Sequence, residues 1–216
     1  IRHSGSPSMH NAALAKLGLD WRYLAFEVSP DALAQAIEGA RAMHFVGLNL
    51  TVPHKLLAVE LVDELDESAT TWGAVNTISF EAKNESGDWT PLGQLPGPAT
   101  GEIRAKGYNT DADAITLALQ QDLGLSLAGQ RVLLLGAGGA GRVATLKLAA
   151  EGVAELHLVN RTVAKAEDLA HEIAERFPHT KTTVGYPENV TDKIDLVLNA
   201  TSLGLKPADA LPLDES

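Results

Sequence analysis

The chain has 216 residues, 45% hydrophobic and 21% charged, an ordinary balance for a globular protein with room for one large domain or two small ones. Its formal net charge of −11 is shared almost evenly between the halves with no basic tail, which argues against nucleic acid or an anionic membrane as the main partner. The lack of cysteine excludes disulfides and thiolate metal sites, no apolar run approaches the ~20 residues of a membrane span, and no signal peptide is visible, so a cytoplasmic enzyme is expected.

Ser4-Gly5-Ser6-Pro7 reads as a loop entering a helix, with Ser6 as N-cap and Pro7 at the first helical position. Met9, Ala13, Leu14 and Leu17 give that helix an apolar stripe, and Gly18 ends it. Trp21 to Val28 places Leu24, Phe26 and Val28 on one face, a strand pattern. Ser29-Pro30-Asp31 starts a helix running to about Ala42. Phe45 to Val52 reads as a strand that Pro53 must end, and a helix then carries His54 and Lys55 in its first turn and continues through Leu56 to Leu65. The acidic cluster Asp63, Glu64, Asp66 and Glu67 reads as a solvated face and a helix cap. Gly73 to Phe80 is a third strand. Gly and Pro break any period over 81–106, which predicts a long loop or extended hairpin with little regular pairing. Asp111 to Leu123 is a helix.

From Arg131 onward strands and helices alternate: strand 131–135, helix 140–150, strand 155–159, helix 163–177, strand 181–184, a weak segment at 187–193, and strand 194–198. That alternation predicts βαβ units and a parallel sheet. Val132 to Leu135 is a short uncharged run, as in a strand buried on both faces. Gly136, Gly138 and Gly141 follow at G-x-G-x-x-G spacing, with Ala137, Gly139 and Ala140 between them. The first glycine permits the tight turn, the second lets a pyrophosphate approach the backbone, and the third lets the helix pack close to the strand. The helix N-terminus offers unpaired N–H groups to phosphates. About twenty residues beyond the loop an NAD site usually holds a carboxylate. Here Asn160-Arg161-Thr162 stands instead, with Lys165 a turn on. A guanidinium there suits a 2′-phosphate, so the spacing favours NADP. Asn199-Ala200-Thr201-Ser202-Leu203-Gly204 falls past a strand's C-terminal end, where open α/β sheets bind ligands.

The predicted architecture is α/β: an N-terminal α/β catalytic domain over 1–110 and a Rossmann-type doubly wound NADP-binding domain over 111–216, with the substrate site between two lobes. Taken one at a time, the remaining polar residues say little. Lys55 reads as a surface lysine, Asp111 as a helix N-cap, and Ser4 and Ser6 as caps. His3, His10 and His54 show no metal spacing. Asn49, Thr51 and Asn76, in or next to apolar strands, suggest strand ends facing a cleft.

Their order along the chain says more. His3-Ser-Gly-Ser-Pro-Ser-Met-His-Asn11, Asn49-Leu-Thr-Val-Pro-His-Lys55, Gly73-Ala-Val-Asn-Thr77, Gly107-Tyr-Asn-Thr-Asp111, the glycine loop, Asn160-Arg-Thr162 and Asn199-Ala-Thr-Ser-Leu-Gly204 occur in sequence. The series resembles the shikimate dehydrogenase family, including its quinate/shikimate members, over nearly the whole chain. The resemblance implies an enzyme of aromatic amino acid biosynthesis that interconverts 3-dehydroshikimate and shikimate with NADP(H), or in some members NAD(H). It implies a small-molecule substrate, a monomer or homodimer, and no metal. It assigns Lys55 and Asp111 to the catalytic pair, and Ser4 and Ser6 to the substrate carboxylate. Asn49, Thr51 and Asn76 fall to the substrate hydroxyls or to placing the pair. Gly136 to Gly141 matches the pyrophosphate loop. Asn160, Arg161, Thr162 and Lys165 match the 2′-phosphate pocket, and Asn199, Thr201 and Ser202 the loop near the nicotinamide. It also implies that the family's first strand and a C-terminal part, which completes the Rossmann sheet and supplies a glutamine to the substrate, fall outside these residues. The loop 81–106 is longer than the expected hairpin. A dual quinate/shikimate enzyme and a non-catalytic ligand sensor are the alternatives; an intact Lys55 and Asp111 speak against the sensor.

Overall fold

Two sheets divide the chain, and one helix joins them. A computed structural model describes residues 4–186, 193–204, 206, 208–210, 212 and 213; His3 and all but the last residue of the weak segment 187–193 lie outside them. In the first unit, α1 (Ser6–Lys16) and α2 (Leu33–Ala42) precede β1 (Gly47–Asn49), α3 (His54–Leu57), β2 (Glu64–Leu65), α4 (Glu67–Trp72), β3 (Thr77–Lys83), β4 (Trp89–Pro91) and β5 (Ile103–Tyr108). The sheet order is β1-β3-β5-β2, antiparallel except for the parallel β2–β5 pair. β4 pairs with β3 along the same edge that receives β1. Ile78 and Phe80 of β3 point into a core with Val75, Ala105, Leu33 and Ile37, all nearly inaccessible to solvent. Each such large side chain contributes ~1.5–3 kcal/mol of transfer free energy.

The second unit begins with α5 (Asp111–Leu123), then β6 (Arg131–Leu135), α6 (Gly139–Ala150), β7 (Glu155–Val159), α7 (Val163–Arg176), β8 (Lys181–Val184) and β9 (Leu196–Asn199). The sheet order β8-β7-β6-β9 is parallel throughout. β7 and β9 flank β6, so the chain changes direction of winding there, and the crevice outside those strand ends is where α/β sheets take ligands. Ala166, Leu169 and Ile173 turn one face of α7 inward at helical spacing. At the start of β6, Arg131 donates from its backbone N–H to Asp195 (3.0 Å) and from its guanidinium to Glu155 (3.1 Å). The Arg131 guanidinium holds the Glu155 carboxyl below the usual range, and the Arg131 backbone N–H, followed by Lys193, does the same for Asp195. A small core of Ala74, Ala112 and Val143, with Trp72 against it, joins the units.

The strands and helices after 131 match the sequence pattern closely, with β9 shifted to 196–199. Several earlier expectations need correction. Gly5, not Ser6, is the N-cap of α1, and Ser4 Oγ accepts the Ser6 N–H at 3.3 Å. The apolar stripe of α1 is not buried: Met9 and Leu17 are exposed. Trp21–Val28 forms no strand, because alternation gives an extended backbone but a ladder needs a partner, and none stands beside it among the described residues. The strand expected over 45–52 narrows to β1. The helix expected through Leu65 ends in a 3-10 turn at Ala58–Glu60, and Glu64–Leu65 pairs with β5. Its apolar residues Val59, Leu61, Val62 and Leu65 reach the same core as turn and strand. Asp66 does cap a helix, accepting from Ala69 N, whereas Asp63 and Glu64 bind Arg41, Arg104 and Lys106 and are not simply solvated. The third strand starts at Thr77, since Gly73, at φ 60°, terminates α4 first. Within 81–106 the hairpin exists, but pairing is extensive: β3 runs on to Lys83 and both β4 and β5 bond to it. The charged residues Glu81 and Lys83 belong to the strand because Arg104 and Glu102 sit across from them.

Candidate active site

Asn76 sits between the ends of β1 and β5, donating its backbone N–H to Tyr108 O and accepting Leu50 N–H at its carbonyl. Its side chain is almost fully buried, and every polar atom has a partner. Oδ1 accepts from Thr110 N at 3.0 Å and Thr77 Oγ1 at 3.1 Å, while Nδ2 donates to Thr110 Oγ1 at 2.9 Å and Asp111 Oδ1 at 2.8 Å. A backbone N–H on one side and a carboxylate on the other leave one amide orientation. Asp111 is the first residue of α5 and not its N-cap. The capping work is done by Asn109, whose Oδ1 accepts from Asp111 N and Ala112 N. That leaves both carboxylate oxygens of Asp111 for side chains: Oδ1 for Asn76 and Oδ2 for Lys55 Nζ at 2.7 Å. Lys55 is 13% exposed and Asp111 26%, so the ion pair is mostly out of water and stronger than a surface pair.

The network continues outward from Asn76. Asn49 Nδ2 donates to Thr77 Oγ1 at 3.1 Å, and Tyr23 OH donates to Asn49 Oδ1 at 3.2 Å. Tyr23 is held in turn by α1: Asn11 bonds its backbone N–H and carbonyl, and His10 stacks on its ring at 4.4 Å. Thr51 contributes only its carbonyl, to His54 N. Among the described residues no bond ties Ser4 or Ser6 to this network; they stand at the N-terminus of the helix that holds Tyr23.

Opposite lies the glycine loop. Gly136 has φ 105°, and a Cβ there would stand 2.9 Å from Ala200 O. A Cβ on Gly141 would collide with the Gly136 carbonyl. Gly138 is the N-cap of α6, with open space before it. These are the roles a pyrophosphate cradle requires, and they fit a dinucleotide. A Cβ on Gly139 would lie 3.7 Å from Lys55 Cβ, so the loop rests against the lysine's own helix. Lys55, Gly138, Gly139, Arg142 and Lys165 share the lining of one cleft of about 390 Å³.

Arg161 and Lys165 are exposed, with no carboxylate partner among the described residues, as a 2′-phosphate pocket needs. Asn160 Oδ1 accepts from Ala137 N and Nδ2 donates to Thr162 O, so Asn160 ties the glycine loop to the end of β7. Thr162 holds the N-cap position of α7 without a side-chain cap bond. Asn199 builds its own loop, bonding Thr201 and Leu203 O, and Ala200 brings that loop against Gly136. Ser202 lies in the same loop. Among the described residues no group of His, Cys, Asp or Glu is placed to hold a metal ion, and no helix is long and apolar enough to cross a membrane.

Sequence reasoning missed Tyr23, Asn109 and Thr110 and gave Thr77 no role. Thr77, Asn109 and Thr110 were visible as members of the two short motifs that carry Asn76 and Asp111. Tyr23 had a fainter signal, its parity: it lies on the face opposite Leu24, Phe26 and Val28.

Comparison with known proteins agrees with this geometry. Residues 1–78 match the model of the shikimate dehydrogenase substrate binding domain, and residues 117–205 that of shikimate / quinate 5-dehydrogenase. The shikimate dehydrogenase (NADP(+)) of Methanopyrus kandleri is 38% identical, over 98% of this chain and 68% of that protein. The crystal structure of shikimate dehydrogenase from Aquifex aeolicus is similar at a TM-score of 0.77, with 34% identity over 99% of this chain and 70% of that one. A shikimate dehydrogenase solved in complex with NADP+ gives a TM-score of 0.76, with 36% identity over 96% of this chain and 65% of that one.

Proposed function

The chain belongs to the shikimate dehydrogenase family, and on that premise we propose that it is an NADP-dependent oxidoreductase interconverting 3-dehydroshikimate and shikimate, a step of aromatic amino acid biosynthesis. Residues 1–110 form the substrate-binding catalytic domain and 111–216 the NADP-binding domain. The observation that carries the reading is the Lys55–Asp111 pair, mostly buried and packed against the glycine loop.

When bound, NADP supplies the hydride acceptor for alcohol oxidation and, reduced, the donor for the reverse. Gly136 to Gly141 and the N-terminus of α6 would hold its pyrophosphate, and Arg161 and Lys165 its 2′-phosphate. Asn160 holds the loop and, with Thr162, borders the 2′-phosphate pocket, and Asn199, Thr201 and Ser202 form the neighbouring wall. The chain's part in the chemistry is the proton. Oxidising a secondary alcohol takes a proton from the hydroxyl as hydride leaves the same carbon, and charge developing on oxygen needs a nearby cation. Lys55 exchanges that proton and supplies that charge. Asp111 orients Lys55, and Asn76 fixes Asp111. Asn49 and Thr51 face the substrate hydroxyls, and Ser4 and Ser6 take its carboxylate. The enzyme works in the cytoplasm on a small molecule, as a monomer or homodimer, without nucleic acid or membrane; its evenly spread acidity supports the last point, since it repels polyanions. The family model over residues 117–205 is named for quinate as well as shikimate, so quinate is the alternative substrate to test.

The test follows NADPH absorbance for the full-length protein with shikimate or quinate and each cofactor. Shikimate with NADP+ is expected to give the highest kcat/KM, and Lys55→Ala to lower kcat by ~10²-fold or more. Binding of shikimate without any turnover would refute the reading in favour of a ligand sensor.

A further inference from the structure

The two units are fastened by a cluster of charged groups that the proposed reaction does not use. Arg142 lies on α6, one turn beyond Gly139. Its Nη1 donates to Trp72 O at 2.8 Å, and its Nη2 to both carboxylate oxygens of Glu172, at 2.8 and 2.7 Å. Glu172, on α7, also accepts from Arg176 Nη1 at 2.7 Å, and Arg176 Nη2 donates to Thr71 O at 2.7 Å. The last two carbonyls of α4 thus receive two guanidiniums held by one carboxylate. The C-terminal end of a helix is where cations are favoured. Gly73 follows directly, at φ 60°, and a Cβ there would stand 3.2 Å from the Arg142 guanidinium.

Arg142 is oriented by protein acceptors, Trp72 O at Nη1 and the Glu172 carboxylate at Nη2. It also stands in the first turn of α6, where the helix dipole disfavours positive charge, and Glu172 offsets that cost. What the arrangement does is geometric. On one side, Gly139 rests on Lys55; on the other, Gly73 leads in three residues to Asn76, which holds Asp111. We propose that Arg142, locked by Glu172, is a positioning residue that keeps the glycine-loop helix in register with the Lys55–Asp111 pair. The inference rests on the function proposed above. Hydride transfer needs reacting atoms at near contact, and a displacement of ~1 Å costs ~10²-fold in rate. Arg142 bonds across the seam at Trp72 O, beside the small core of Ala74, Ala112, Val143 and Trp72, and so adds direction to a contact that apolar packing alone leaves non-directional.

The test measures kcat, both KM values, melting temperature and the primary deuterium isotope effect on kcat, with NADPH deuterated at the transferred position. It compares full-length wild type with Glu172→Gln, Arg142→Lys and the double variant. A positioning role predicts kcat lower by ~10-fold or more in Glu172→Gln, less in Arg142→Lys, with KM values within ~3-fold and a raised isotope effect. The double variant should be no worse than the worse single, because the residues act as a unit. If Glu172→Gln does not fold, the kcat and isotope effect of Arg142→Lys decide. A lowered melting temperature with wild-type kcat and isotope effect would overturn the proposal and leave an ordinary structural ion pair. Absence of wild-type turnover with shikimate would count against the function itself, a separate result.

Discussion

Replacing Asp111 by asparagine tests the site at its most constrained point. The carboxylate receives two donors, Lys55 Nζ at Oδ2 and Asn76 Nδ2 at Oδ1. An amide has the same shape but only one acceptor oxygen. If that oxygen stays with Asn76, the new amide nitrogen faces the Lys55 ammonium, donor against donor, and Lys55 leaves its position. If the amide flips, Asn76 Nδ2 loses its acceptor at position 111 and keeps only Thr110 Oγ1, so the side chain at 111 is no longer tied to the Asn76 network. A hydrogen bond to a charged group is worth ~1.5–3 kcal/mol, which amounts to ~10- to 150-fold in the population of the productive arrangement. The proton transfer that Lys55 performs there is itself worth ~10²- to 10⁴-fold. Asp111→Asn is therefore expected to lower kcat by ~10²-fold with KM for shikimate within ~3-fold, read from NADPH absorbance over a range of shikimate concentrations. Combined with Lys55→Ala it should add little beyond the worse single change. Retention of most of kcat, or a double variant impaired by the full product of the two losses, would refute the claim that the residues act as one unit.

The cofactor pocket is checked by Arg161→Ala, which should weaken NADP+ binding by ~10-fold or more and leave NAD+ nearly unchanged, measured by calorimetry; equal losses for both would assign Arg161 to the fold. Tyr23→Phe keeps the ring stacked on His10 and removes only the donor to Asn49. It should lower kcat/KM for shikimate by ~3- to 10-fold at an unchanged melting temperature, and an unchanged kcat/KM would remove Tyr23 from the network. The depressed carboxyls of Glu155 and Asp195 give an acid limit. Because their folded values lie below their unfolded ones, the stability they add is present above the ordinary carboxylate range and is lost as pH falls through the folded values. The melting temperature should hold from neutrality to about pH 5 and then decline. Glu155→Gln with Asp195→Asn should flatten that decline, and an unaltered slope would show that other carboxylates set it.

The second unit was almost wholly legible in the sequence. β6, β7 and β8 are short runs bounded by Gly, Asn and Pro, and α7 shows its inward face at Ala166, Leu169 and Ile173, so period and punctuation agree. The first unit was read less well because its elements are short and their apolar residues fit two periods. Val59, Leu61, Val62 and Leu65 suit one long helix, yet the chain turns at Ala58–Glu60 and reaches the same core as turn and strand. Trp21–Val28 shows the converse failure: period 2 was present, and among the described residues a pairing partner was not. At the site, Lys55 and Asp111 could be paired only through the family resemblance, because spacing alone does not show that residues so far apart in sequence meet. The bonds of Asn160 to Ala137 N and Thr162 O were likewise not legible, since its partner in the glycine loop stands 23 residues away. The bonding of Arg142 to Trp72 O and Glu172 was invisible for the same reason.

The place of Asp111 at the first residue of α5 makes the ion pair a fastening as well as a proton-handling device. Lys55 stands on α3 of the first unit and Asp111 opens the second, so their 2.7 Å bond crosses from one unit to the other. Parting the units would stretch that bond, and whatever keeps the pair aligned for a proton also keeps the two sheets in step.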